Sequence, residues 1–300
     1  MSLQDYYPSA LAQLIQQAAV IKPKVVQSTK VTYLLTAHGQ VLKSNSYKND
    51  GKFSLFYTGP VQDILIDNIY HEAMFITLDA NIIYKNRFDI NVDSDDDEPN
   101  PKINDVISIT SRISNTVGVI TSNGNYYIYN PERNKSTLVK LSKPVVAQVV
   151  RNNVSLLLQV DGRVWKYETK SIVDAEDITS LSYKALLRDD GRIYELINED
   201  FVLNDQIFDI IAVNSSVTEF GLYINLITKS GQVLRKIIPT TSIGDYGLLN
   251  KYKYKPVIFD TQYKAIVAVG TIIILDDGRV AQGEDDMTII PNLNVNWFYD

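Results

Sequence analysis

Cysteine is absent from all 300 residues, so no disulfide, thiolate metal site or cysteine nucleophile can be built. Histidine occurs twice, at His38 and His71. Neither has a sequence neighbour that suggests a triad, and a histidine metal site would need carboxylates brought in from distant segments. No glycine-rich phosphate loop and no catalytic motif is present. No run approaches the roughly 18 apolar residues that a membrane-spanning helix requires. The expectation is therefore no cofactor, no metal, no catalytic residue and no membrane span: a non-enzyme in a reducing, intracellular setting.

An excess of basic charge is also missing. The net charge is −6, and five negative charges sit together at Asp93, Asp95, Asp96, Asp97 and Glu98, which leaves a net −1 on the rest. An overall basic footprint for nucleic acid is absent, which disfavours a nucleic-acid partner. What remains is a globular composition, 45% hydrophobic and 21% charged, able to bury a sizeable core.

The first 24 residues differ from the others. Ala10, Leu11, Leu14, Ile15, Ala18 and Ala19 form an apolar stripe at helical spacing, with Pro8-Ser9 as a start signal and Pro23 as a stop. A signal peptide fits less well, because Asp5 stands where positive charge belongs and Gln13, Gln16 and Gln17 interrupt the apolar region. The expectation is a short α-helix in 1–24, docked on a body formed by 25–300.

That body reads as β. Leu156-Leu-Leu-Gln-Val-Asp-Gly-Arg-Val-Trp-Lys-Tyr167 is a hairpin, two apolar runs about Asp161-Gly162. Similar turns fall at His38-Gly39, Asn123-Gly124, Asp190-Gly191, Ser230-Gly231 and Asp277-Gly278, with Asp79-Ala80 as a degenerate copy. Two-residue type I′ turns are predicted from these dipeptides. Such turns would pair Leu158 with Trp165 and Leu187 with Tyr194, and an apolar pair recurs at those positions in all seven copies. One face of the hairpin is apolar near the turn and the other, though less uniform, is largely so, unlike the clean alternation of a sheet with one solvated face. The turns are spaced 41, 44, 38, 29, 40 and 47 residues apart, a blade-sized period.

The predicted fold is an all-β, seven-bladed β-propeller of about 40-residue repeats. Further strands are predicted within Ile64–Ile66, Val106–Ile109, Val145–Val150, Ile207–Val213 and Val257–Phe259. The 29-residue interval predicts a minimal blade or one without its outer strand, and the 47-residue interval an inserted loop within 237–268. Leu293, Val295, Trp297 and Tyr299 alternate as a closing strand that joins the last blade to the first.

Leu157–Trp165 and Leu186–Tyr194 resemble the repeat of the regulator of chromosome condensation family, whose consensus carries Leu-Thr-x-Asp-Gly-Arg-Val-Tyr. Thr36, Thr77, Thr121 and Thr228 match its threonine. The family's histidine and flanking glycines are largely missing, and His71 stands one position away. The resemblance implies a seven-bladed propeller over 25–300. It also implies, as an alternative function, guanine-nucleotide exchange on a small GTPase. The bias toward Asn, Ile, Lys and Tyr resembles that of diverged family members in large DNA viruses, so a virion-associated protein is one expectation.

Two stretches stand out as candidate interaction loops. Asp93-Ser-Asp-Asp-Asp-Glu98 clusters carboxylates but lacks the glycine and terminal Glu of an EF-hand loop. It reads as a solvated acidic loop, or one that engages a basic partner. Lys251-Tyr252-Lys253-Tyr254-Lys255 alternates cations and aromatics, as single-strand nucleic-acid binders do. It also suits an exposed strand with both tyrosines inward and lysines guarding an edge. The functional expectation is a non-catalytic scaffold that binds another protein.

Overall fold

The computed structural model describes residues 21–297 apart from 46–51, 60, 67–72, 78–81, 85–102, 104, 112–115, 131–134, 152–153, 183, 198–199, 219, 243–250 and 260–261. The predicted N-terminal helix and the Asp79-Ala80 turn lie outside the described residues. The protein is an all-β propeller of small antiparallel sheets, each a simple meander in chain order. The sheets span 24–57 (sheet 1), 61–84 (sheet 2), 106–139 (sheet 3), 145–172 (sheet 4), 178–204 (sheet 5), 210–256 (sheet 6) and 265–294 (sheet 7). Six are four-stranded blades, whereas sheet 2 has three strands among the described residues. The expected count of seven blades is therefore corrected to six four-stranded ones.

The first strand of each sheet is innermost. Lys24–Gln27, Val61–Ile66, Val106–Ser111, Val145–Arg151, Ile178–Leu181, Ile210–Val217 and Ala265–Val269 each contact the first strands on either side, and the last contacts the first. Apolar clusters fill every gap between neighbouring sheets. Leu156, Leu158, Ile178 and Leu186 pack between sheets 4 and 5, and Val25, Leu34, Ile272, Ile274 and Leu293 pack between sheets 7 and 1. Both faces of each sheet are thus covered, which is why the strands lack polar alternation near the turns. Trp165 belongs to this packing, set against Ile120, Tyr126 and Leu157.

The turns differ from the type I′ expectation. The N–H of Gly39 donates to the Thr36 carbonyl at 3.1 Å, and the Thr36 N–H donates to Gln40 O at 2.9 Å. This is a three-residue loop, a type I turn closed by a left-handed glycine. Gly39, Gly124, Gly162, Gly191, Gly231 and Gly278 all have φ between 79° and 88°, and the residue before each is not left-handed. The extra residue shifts the register by one. Leu158 pairs with Val164 and Leu157 with Trp165, while Leu187 pairs with Ile193 and Leu186 with Tyr194. The recurrent threonine braces the loop, since Thr36 Oγ1 accepts from Gln40 N at 3.1 Å and Thr228 Oγ1 from Gln232 N at 3.1 Å.

Each turn glycine also ties its sheet to the next. Gly39 O accepts from Val61 N, Gly124 O from Val145 N, Gly162 O from Ile178 N, Gly191 O from Ile210 N and Gly231 O from Ala265 N, all at 2.9–3.1 Å. Gly278 O has no following sheet, and Val295 N takes the position at 2.8 Å. Val295 O in turn accepts from Ala37 N at 2.9 Å, and Asn296 O from the His38 ring at 2.7 Å. The closing segment is thus the fourth strand of sheet 7, Thr288–Asn294, whose continuation caps the head of sheet 1.

One strand expectation needs correction. Val257–Phe259, expected to supply a further strand, forms none; the Val257 N–H donates to Val233 O at 2.9 Å and Val257 packs between sheets 6 and 7, whose inner strand is Ala265–Val269. The short interval holds a minimal blade, the first of the two forms expected: sheet 4 is completed by a two-residue outer strand, Ser171–Ile172. The long interval carries the expected insertion between Pro239 and Lys255, which begins with a 3-10 turn at Thr240–Ser242.

Candidate functional site

The meander gives the propeller two unlike faces. One carries the glycine turns and the heads of the innermost strands. The other carries the opposite connections, including the 3-10 turn Thr240–Ser242 that follows the third strand of sheet 6.

On the turn face the second residue of the inner strand is a β-bulge. Sheets 2 to 7, but not sheet 1, skip that residue in the register with the second strand, for example between Val145/Ala147 and between Ile210/Ala212. A bulge leaves its extra residue unpaired and re-aims its side chain. In sheets 3, 4, 6 and 7 that residue is a large aliphatic: Ile107, Val146, Ile211 and Ile266 are 40%, 48%, 54% and 46% exposed. Gln62 and Thr179 hold the position in sheets 2 and 5 and are also exposed. The result is an interrupted apolar collar on the innermost strands, at their turn-face ends.

Three aspartates stand immediately before this collar. Asp105, Asp177 and Asp209 have φ of 57°, 57° and 60°, a conformation that Asp tolerates better than most residues. Their carbonyls accept from Ser122, Asp189 and Lys229, and the Asp209 carboxylate pairs with Lys229 Nζ at 3.0 Å. The Asp-Gly-Arg triplets nearby are closed on themselves. Asp190 Oδ1 accepts from Arg192 N at 3.0 Å and Arg192 Nε donates to Asp190 Oδ2 at 2.9 Å; Asp277 and Arg279 repeat both bonds. The bonds from Arg192 hold the Asp190 carboxyl below the usual range.

On the other face a cleft lies beside the outer strands of sheet 6, lined by Arg235, Ile237, Lys251, Tyr252, Lys253, Lys255 and Asp285. Lys251, Lys253 and Lys255 are exposed, while Tyr252 and Tyr254 pack against the apolar cluster between sheets 5 and 6. Only Lys255–Pro256 forms a strand. The acidic stretch Asp93, Asp95, Asp96, Asp97 and Glu98 lies outside the described residues.

Sequence reasoning missed the polar groups beneath this cleft, although two adjacent cations in the apolar run Val233–Pro239 were a signal. Arg235 is 3% exposed. Its Nε donates to Asn225 Oδ1 at 2.7 Å, and its Nη1 to Gly283 O at 2.7 Å and to Glu284 O. Its Nη2 is buried with no hydrogen-bond partner among the described residues. Burial draws the guanidinium down to about 10, so it stays cationic at neutral pH. Tyr223 O–H donates to Glu284 Oε1 at 3.0 Å, and burial, then the carboxylate, pushes the phenol up. Next to it Lys236 Nζ donates to Glu195 Oε1, which also accepts from Tyr254 O–H at 3.1 Å; Asn204 Nδ2 donates to Oε2 at 2.7 Å. Lys236 lies 4.5 Å from the Tyr254 ring centroid, and burial raises that phenol well above its ordinary value. Apart from Arg235 Nη2, these groups are hydrogen-bonded to one another or to backbone carbonyls. Among the described residues no cluster of three metal-ligating side chains occurs.

No known family model and no curated protein matches this chain. Solved structures do. PorZ, a surface component of the type-IX secretion system of Porphyromonas gingivalis, is similar at a TM-score of 0.51 and 12% identity over 90% of this chain and 38% of its own. The BT3049 extracellular domain from B. thetaiotaomicron is similar at 0.51 and 13% identity over 92% of this chain and 40% of its own. Prp20p from Saccharomyces cerevisiae follows at 0.47 and 9% identity over 90% of this chain and 76% of its own. The chain thus spans well under half the length of the first two. At such identities the likeness shows a shared fold alone.

Proposed function

We propose that this protein is a non-catalytic scaffold that binds another protein through the turn face of the propeller. The observation that carries this reading is the collar. Four large aliphatic side chains occupy one repeated position, on the innermost strands, and leave about half of their surface in water. Exposed apolar residues scattered singly need no explanation, but a repeated set around one opening marks an interaction surface. The backbone ties from glycine to the next sheet hold the collar in fixed geometry, which lowers the ordering cost of binding.

The test is affinity capture with the full chain and with an Ile211→Lys/Ile266→Lys variant of unchanged circular dichroism. The scaffold reading expects a protein partner retained by the native chain and lost from the variant. Equal retention by both would overturn the collar's role, and turnover of a substrate panel with no macromolecular partner would overturn the scaffold. Acceleration of nucleotide release across a small-GTPase panel would favour the exchange-factor alternative instead.

A further inference from the structure

The apolar collar is interrupted at sheet 5, and the interruption is acidic. Thr179 holds the bulge position there, and Asp174, Glu176 and Asp189 stand exposed on the connections around it. None of these three carboxylates joins an ion pair or a side-chain hydrogen bond among the described residues. The cations of the same heads are already taken. Arg188 meets Asp177 at 3.5 Å and Asp190 at 3.7 Å, Arg192 meets Asp190 at 2.7 Å and Asp205 at 3.3 Å, and Lys229 meets Asp209 at 3.0 Å. Lys143, exposed at the head of sheet 4, is unpaired among the described residues, which sets three free carboxylates against one free cation.

Large apolar side chains flank this acidic head on both sides. On sheet 4, Val160 is 61% exposed and joins Val146, its N–H donating to Pro144 O at 3.0 Å. On sheet 6, Phe208 is 64% exposed and precedes Ile211 in the same head. The three heads are fixed to one another by the bonds from Ile178 N to Gly162 O and from Ile210 N to Gly191 O, and Asp189 N donates to Asp177 O at 3.0 Å. The order across this part of the face is apolar, acidic, apolar.

We propose that the heads of sheets 4 to 6 dock a basic amphipathic segment of the partner protein, in which Lys or Arg side chains are flanked by large apolar ones. This rests on the collar as the docking surface and adds the chemistry of its occupant. Charge complementarity selects that occupant. An acidic segment would set like charge against three carboxylates that have no cation of their own, and such juxtaposition is costly at an interface. The flanking aliphatics supply the burial, and Phe208 is an aromatic of the kind enriched at interface cores. The cations of the segment then meet Glu176 and Asp189 while its apolar side chains cover Val146, Val160, Phe208 and Ile211.

The experiment is fluorescence anisotropy with the full chain and three probes of equal length: a Leu-Lys peptide of amphipathic helical pattern, its Leu-Glu counterpart, and a Ser-Lys peptide with the same cations and no large apolar groups. Each is titrated against the native protein, a Glu176→Lys/Asp189→Lys variant and the Ile211→Lys/Ile266→Lys variant. The proposal expects the Leu-Lys peptide to bind best, to weaken at least about tenfold in the charge-reversed variant, and to weaken with salt. It also expects the bound peptide to slow amide exchange at 145–147, 176–179 and 208–211 of the native chain, a readout that needs no variant. Binding of either other peptide as tightly as the Leu-Lys peptide, no loss on charge reversal, or unchanged exchange at these heads would overturn it. If the two leucine peptides bind equally and both are lost from Ile211→Lys/Ile266→Lys, this proposal falls and the collar stands. If that variant binds the Leu-Lys peptide as the native chain does, the collar falls as well.

Discussion

The N–H of Val295 donates to the carbonyl of Gly278 at 2.8 Å, the bond that Ile210 makes to Gly191 and Ile178 to Gly162. The chain end thereby takes the place of a strand head that sheet 1 does not supply for itself, and the ring closes by the device that joins its members. Val295 is fully buried beside Val25, Leu34 and Leu42 of sheet 1. Val295→Ala should cost about 2–3 kcal/mol from lost burial and the cavity left behind. Deleting 295–300 should cost more, since it also removes the bonds to Ala37 and His38. Urea unfolding of the two variants checks both, and a truncated chain as stable as the native one would contradict this closure.

The turn glycines carry two constraints at once. At Gly191 φ is 83°, and a Cβ would stand 3.2 Å from both the N and O of Ile210. Gly191→Ala should therefore destabilise by more than the roughly 1–2 kcal/mol of a left-handed alanine alone. Chemical denaturation measures the difference. The same account explains how much of the fold was legible. Asp-Gly and Asn-Gly announce a hairpin, and the period announces a propeller. The loop type was not legible, because a left-handed glycine closes a type I turn as readily as a type I′ turn. The register follows from the three-residue loop, which takes one residue more into the turn than the dipeptide alone implies.

Glu195 and Lys236 form a buried ion pair, with side chains 10% and 8% exposed. Lys236→Met should cost about 3 kcal/mol, because it strands the carboxylate with Asn204 and Tyr254. Adding Glu195→Gln should recover part of that loss. A double-mutant cycle on unfolding free energies reads the coupling, and additive losses would contradict it.

Alkaline titration should separate the tyrosines. Burial raises Tyr223, Tyr254 and Tyr129, in the first two helped by a carboxylate. Their folded values lie above the unfolded value of about 10, so they add stability that is complete below pH 10 and lost as pH rises through the folded values. Arg235 acts oppositely: its folded value of about 10 lies below the unfolded one, so stability rises with pH between the two. With three groups against one, stability should fall above pH 10. Phenolate absorbance should show a fraction of the 19 tyrosines ionising only with unfolding.

The candidate surfaces were less legible than the fold. Lys251–Lys255 drew attention by its alternation, yet Arg235 beneath it stands in an apolar run and becomes visible only when Asn225 and Gly283 are brought beside it. The collar was hidden for a different reason. Ile107, Val146 and Ile211 fall inside predicted apolar strands and Ile266 inside the predicted insertion, and the bulge that turns them out is a register effect no single repeat reveals.

The most direct measurement of the scaffold reading is hydrogen exchange on the full chain with and without its captured protein partner. The collar account predicts slowed exchange in the inner-strand heads 105–109, 144–148, 209–213 and 264–268 together, with the outer strand Ser171–Ile172 unchanged. Protection confined to the outer strands, or none at the four heads, would contradict it.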